Sequence, residues 1–242
     1  MNLEIKSLAS GLVSHQMSKV KSSTKGGFTL LELLIVVSII AILSVALVLV
    51  LDPSETLKKS RDSQRISDLS TMKTALGIYT TSTTTPYLGA NASNAACKAT
   101  PATAWAGTLN KIFYSTSGIS ITDATLDGSS VNVAATSTTP TLTDSTGWIP
   151  VNFDSLTGGS PVSNLPLDPV NTITSASGIT NADLVYRYAC SVTPFAYEID
   201  ATLESNTFTT GSDNKLTKDG GNNSNYFEVG TNLKILGTGT DF

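Results

Sequence analysis

Followed from its beginning, the order of hydrophobic and polar positions divides the chain into three stretches. Residues 28–51 read FTLLELLIVVSIIAILSVALVLVL, 24 positions with a single charge and no polar face. A helix that is apolar on every side has no surface to offer water, so this run predicts a membrane span. At 1.5 Å per residue it covers ~36 Å, against ~30 Å of bilayer hydrocarbon. Beyond Asp52-Pro53, Leu57, Ile66, Leu69, Met72, Leu76 and Tyr79 recur mainly at three- and four-residue spacing. That period predicts an amphipathic helix to about residue 80, with its stripe packed on a sheet and Arg61, Asp62, Arg65 and Asp68 on other faces. Asp52-Pro53 either kinks one long helix running from 28 to 80 or starts a fresh one, with Asp52 as N-cap and Pro53 as first helical residue.

The third stretch has a shorter period. TTSTTTP at 80–86 ends the helix, and residues 80–147 are rich in Ser, Thr, Ala, Asn and Gly. They predict surface loops with short strands at 111–115 and 131–134. Trp105, Phe113 and Trp148 call for some burial among them. Alternation in VYRYAC and FAYEIDATL, with SVTP as a hairpin connection, is a strand signal. The expected strands are 148–153, 184–190, 195–203, 226–230 and 233–236. An antiparallel sheet facing a helix is an α+β layout.

Composition sharpens this picture. Charged residues are 14% of the chain, low for a cytosolic protein. A surface of hydroxyls and amides suits an exported domain. Residues 1–27 hold Lys6, Lys19, Lys21 and Lys25 against Glu4, a local balance of +3, which leaves −7 for the remainder. Lysines ahead of the apolar run place residues 1–27 in the cytoplasm and everything after 51 outside, a single-pass topology. Lys58, Lys59, Arg61 and Arg65 cluster just past the span, and no basic patch elsewhere points to a nucleic-acid partner. Cys97 and Cys190, in a chain that leaves the cytosol, read as a disulfide, with two buried free thiols as the alternative. Closing a loop of about 90 residues stabilises by about 4 kcal/mol in the chain-entropy model.

Two features of the first run remain: Gly26-Gly27 just ahead of it, and Glu32 inside it. A secretory signal has a shorter apolar region and a small-x-small cleavage site, which VALVLVLDP lacks. A plain anchor explains neither the glycines nor the acid. KGGFTLLELLIVV resembles the processing site and N-terminal helix of type IV pilins and of the pseudopilins of type II secretion. The resemblance is tight over residues 25–45 and fades by about residue 80. It implies a leader peptide, 1–27, removed by a prepilin peptidase that cuts between Gly27 and Phe28 and methylates the new Phe28 amine. Glu32 matches the family's acid, which pairs with the Phe28 amine of a neighbouring subunit; pairing with its own Phe28 is the alternative. The implied partners are membrane lipid before assembly, an inner-membrane assembly platform, and copies of the same chain in an extracytoplasmic filament. The implied fold is pilin-like: a filament-core helix at 28–51, its amphipathic continuation at 52–80 and an outer α+β domain at 81–242. Two departures stand out: a leader of 27 residues, and a proline placed after the apolar helix rather than within it.

LPLDPVN at 165–171, followed by VYRY, resembles the segment before a tyrosine-rich strand in major pseudopilins, some of which bind calcium in a C-terminal loop. Here that loop offers Asp213, Asp219 and Asn222, with Asn214 and Asn223, oxygen donors of the type calcium takes. A solvated turn is the alternative, and Lys215 and Lys218 weaken the field. Maturation would discard the only histidine, His15, and no nucleophile, metal or phosphate-loop set remains. The expectation is therefore a structural protein without catalytic residues. A membrane-anchored adhesin or binding domain using the hydroxyl-rich surface is the alternative of a different class.

Overall fold

The computed structural model describes residues 26–90, 92–106, 109–117, 134–174 and 178–239. Of the expected leader, only Gly26 and Gly27 fall among them. The chain divides between Val50 and Leu51 into two compact units.

Helix α1, Leu30–Leu51, lies in the first unit but for its last residue. Its Leu30–Val48 portion is long and apolar enough to cross a membrane, and none of it is buried within the chain. Leu30 is 83% exposed and Ile42 71%. Two hydroxyls sit in the run, and each is consumed by the helix itself. Ser38 Oγ donates to the Ile35 carbonyl at 2.8 Å, and Ser44 Oγ to the Ile40 carbonyl at 2.7 Å. Back-bonding of this kind leaves the surface uniformly apolar.

Helix α2, Pro53–Ser82, opens the second unit. Asp52 adopts a left-handed conformation (φ 36°), and its side chain accepts from the Glu55 amide at 3.3 Å, with Pro53 at the first helical position. Asp52-Pro53 is thus a helix start, and the expected run from 28 to 80 is two helices. The buried face of α2 is Asp62, Arg65, Leu69, Met72, Ala75, Leu76 and Tyr79. Its second half is as the periodicity predicts. Its first half is not: Leu57 is 61% exposed, while Asp62 and Arg65, expected on other faces, are fully buried. The reason is chemical: this turn faces Asp168 and Glu204, and Arg65 bonds both.

Among the described residues five strands follow: β1 (Ile112–Ser117), β2 (Ala134–Ser137), β3 (Tyr186–Ser191), β4 (Ala196–Ala201) and β5 (Phe227–Gly230). They form one sheet in the order β2-β1-β3-β4-β5. All neighbours are antiparallel except β1 and β2, which run parallel, so the sheet is mixed rather than wholly antiparallel. The expected strand at 131–134 lies outside the described residues except for Ala134, where β2 begins. Residues 148–153 form no strand. Their main chain is spent on loop carbonyls instead, Trp148 N on Pro140 and Phe153 N on Thr143, while Pro150 has no amide to offer a ladder. Nor do residues 233–236; the amides of Ile235 and Leu236 go to a side chain, Glu198.

Both faces of β3 and β4 are buried. One face presents Tyr186, Tyr188, Cys190, Tyr197, Ile199 and Ala201 to a core shared with α2, Trp148 and Phe153. The opposite face carries Arg187, Glu198 and Asp200, all buried. A second apolar cluster of Trp105, Ile112, Tyr114, Tyr226, Ile235 and Leu236 lies with Ala189 and Ala196 on that side. Alternation in the sequence therefore marks two different interiors, not an inside and an outside.

Candidate processing and assembly site

Thr29 precedes α1 in non-helical backbone, and its Oγ1 accepts from the Glu32 amide at 3.1 Å. This satisfies one of the donors that every helix N-terminus leaves open. Thr29 and Glu32 stand in the spacing of a capping box, a signal readable in TLLE that the periodicity argument passes over. The carboxylate of Glu32 thus sits in the first turn, where the helix dipole favours negative charge. Gly26, Gly27 and Phe28 lie ahead of the helix, exposed and non-helical. A methyl added at either glycine would meet nothing within 4 Å, so the fold itself does not require glycine there.

The loops and sheet that follow are fastened to α2 by a buried ion network. Arg65 binds Asp168 with both arms of its guanidinium, at 2.6 and 2.9 Å, and reaches Asp62 at 2.8 Å and Glu204 at 2.7 Å. Arg61 makes a second two-pronged pair with Glu204 at 2.8 and 2.9 Å. Asp62 also accepts the amides of Glu204 and Ser205, and Asp168 those of Val170 and Asn171. The Arg61 hydrogen bond, with Arg65 beside it, holds the Glu204 carboxyl below its ordinary range. Asp168 belongs to the LPLDPVN segment, so that motif supplies the anion that α2 requires. Nearby, Tyr186 donates its hydroxyl to Asp68 at 2.8 Å, and burial pushes Asp68 above the usual carboxylate range.

Cys97 and Cys190 form a disulfide. It fixes a loop of the 80–110 segment to the end of β3, where Lys98 N also donates to the Cys190 carbonyl at 2.8 Å. The three residues expected to offer calcium its oxygens each have partners within the protein. Asp213 pairs with Lys215 at 2.9 Å. Asp219 gives one oxygen to the Gly221 amide and the other to the Glu228 amide. Asn222 is oriented to donate its amide to the Leu233 carbonyl and to Glu228 Oε1. Among the described residues no group of three or more His, Cys, Asp or Glu is placed to hold a metal ion. The buried charges on both faces of the sheet escaped the sequence reading, because each belongs to an alternating or helical pattern that also fits a solvated face.

Residues 22–48 match the family described as the prokaryotic N-terminal methylation motif, the signature of type IV pilins and pseudopilins. No curated protein and no solved structure matches the chain significantly.

Proposed function

We propose that the chain is the precursor of a structural subunit of a type IV pilus or a type II secretion pseudopilus. A prepilin peptidase cuts it between Gly27 and Phe28 and methylates Phe28, and the mature subunit assembles through α1. The observation that carries this reading is the methylation motif spanning 22–48, joined to a helix whose Leu30–Val48 portion has no buried residue. Exposed apolar surface on that scale must be covered by lipid or by other helices. A filament offers the second in exchange for the first. Glu32 then meets the amine created by cleavage, and charge pairing in an apolar core favours one register, since an unpaired buried charge is strongly unfavourable.

Mass spectrometry of the mature protein from the native cell tests the reading. The expected mass starts at N-methylated Phe28. An intact Met1, or an N-terminus beyond Leu51, overturns it. Electron microscopy of the same cells separates the two systems: long surface fibres mean a pilus, and their absence a secretion pseudopilus.

A further inference from the structure

On the sheet face away from α2, register places Tyr114, Arg187, Asp200 and Glu228 side by side across β1, β3, β4 and β5. Arg187 reaches Asp200 at 3.4 Å, and its guanidinium lies 4.3 Å from the centre of the Tyr226 ring. One pleat along β4, Glu198 stands opposite Gly230 and diagonal to Glu228. Glu198 and Glu228 are 0% and 2% exposed, and their carboxyl groups are within hydrogen-bonding reach of each other. Two carboxylates cannot make that bond; one of them must carry a proton.

The remaining oxygens of this pair hold the end of the chain. Glu198 Oε2 accepts the amides of Ile235 at 2.7 Å and Leu236 at 2.8 Å, while its Oε1, fully buried, has no protein donor. Glu228 Oε2 accepts the amide of Asn223 at 2.9 Å. The Asn223 side chain in turn donates to the carbonyls of Gly237 and Gly239, at 3.1 and 2.9 Å. A Cβ on Gly221 would lie 1.8 Å from Glu228 Oε2, so the 219–223 loop is laid directly on this carboxyl. Every fixed point of segment 235–239 just named runs through one of the two acids. Lys98 adds a further tie, donating from Nζ to the Ile235 carbonyl at 3.1 Å.

We propose that Glu198 and Glu228 are a binding site for one shared proton, and that this proton latches segment 235–239 and the 219–223 loop onto the sheet. With the proton in place, Glu198 donates from Oε1 to Glu228 and both groups keep their amide partners. Loss of the proton leaves two negative charges in buried contact. Of the facing charges, Asp200 lies beside them on β4 and Asp219 accepts the Glu228 amide, while the buried cations Arg187 and Lys98 bond Asp200 and the Ile235 carbonyl. Burial, followed by the bond to Glu228, raises Glu198 well above the usual carboxylate range, and burial raises Glu228. The folded pair therefore binds its proton more tightly than the unfolded chain does. The stability it confers is complete below the ordinary glutamate range, and is lost as pH rises through the folded values. Alkaline pH opens the latch.

Hydrogen exchange of the full-length chain in detergent micelles, followed by mass spectrometry from about pH 5 to about pH 10, tests the proposal. Rates are corrected for intrinsic exchange at each pH. In the wild type, the opening constant of peptides covering 235–239 should rise up to about tenfold per pH unit above the titration of the pair, while peptides from α2 stay protected. Glu198→Gln keeps an acceptor for Ile235 and Leu236 and a permanent donor for Glu228, so its opening constant should be flat over the same range. Glu228→Gln should behave alike, and serves if the first variant does not fold. A pH-independent wild type, or the same rise in a folded glutamine variant, overturns the proposal. So does protection of 235–239 by added calcium at alkaline pH, because a metal ion would then be the occupant. None of these readouts depends on whether the chain forms filaments.

Discussion

Arg65 stands among three carboxylates, whereas among the described residues Glu32 has no ion-pair partner. Arg65 is fully buried and bonded to three carboxylates. Arg65→Ala leaves Asp62 and Asp168 buried without their cation and should destabilise the outer domain by about 3–5 kcal/mol. Urea denaturation of the full chain in micelles measures this directly. Glu32 is exposed, its backbone amide held by Thr29. Its partner lies outside the folded precursor in the filament reading. Glu32→Ala should therefore be cut and methylated as usual, as read by mass spectrometry, yet yield no filaments by electron microscopy. Normal filaments from that variant would sink the pairing argument.

At the scale of elements, the disulfide and the sheet share one task. The 97–99 segment lies against the end of β3, where Lys98 N donates to Cys190 O, Val192 N to Lys98 O and Thr193 N to Ala99 O. The disulfide closes a sequence separation of 93 residues over these bonds. Replacing both Cys97 and Cys190 with Ser should lower stability by about 4 kcal/mol in the chain-entropy model, measured as a shift of the denaturation midpoint. The main-chain bonds would remain, so near-native circular dichroism is expected below the midpoint. The two helices divide labour similarly. α1 keeps an apolar surface on every side, whereas α2 is half apolar stripe and half ion network.

For the whole molecule, pH acts from two directions. Glu204 is held low chiefly by its bond to Arg61, so its contribution is present at neutral pH and is lost as pH falls through its lowered value. Asp200 behaves oppositely: burial raises it to about 7, against the pull of Arg187, so its contribution fades as pH rises through that value. Stability should peak on the acidic side of neutral and decline in both directions. Thermal denaturation across a pH series checks this, and a maximum above about pH 8 would contradict it.

The sequence by itself determined the parts that depend on composition and local spacing. An unbroken apolar run specifies a helix needing a non-aqueous surround. The glycine pair and the acid four residues beyond Phe28 are covalent facts that need no fold. Period-2 alternation located β3 and β4, and the Leu69–Tyr79 stripe located the packed half of α2. Only the tertiary structure decided which polar residues are interior. Arg65, Arg187, Glu198 and Asp200 look like solvent positions in a one-dimensional pattern, because burial of a charge depends on partners far along the chain. Arg65 and Asp168 are 103 residues apart, and Glu198 and Leu236 are 38 apart. Distance in sequence also hid the fate of 233–236, whereas 148–153 turns on carbonyls only 8 and 10 residues upstream, at Pro140 and Thr143. Both are apolar enough to be strands, yet the acceptors for their amides are loop carbonyls or Glu198. Local sequence sets what a segment can form, and the hydrogen-bond partners that folding brings to it set what it does form.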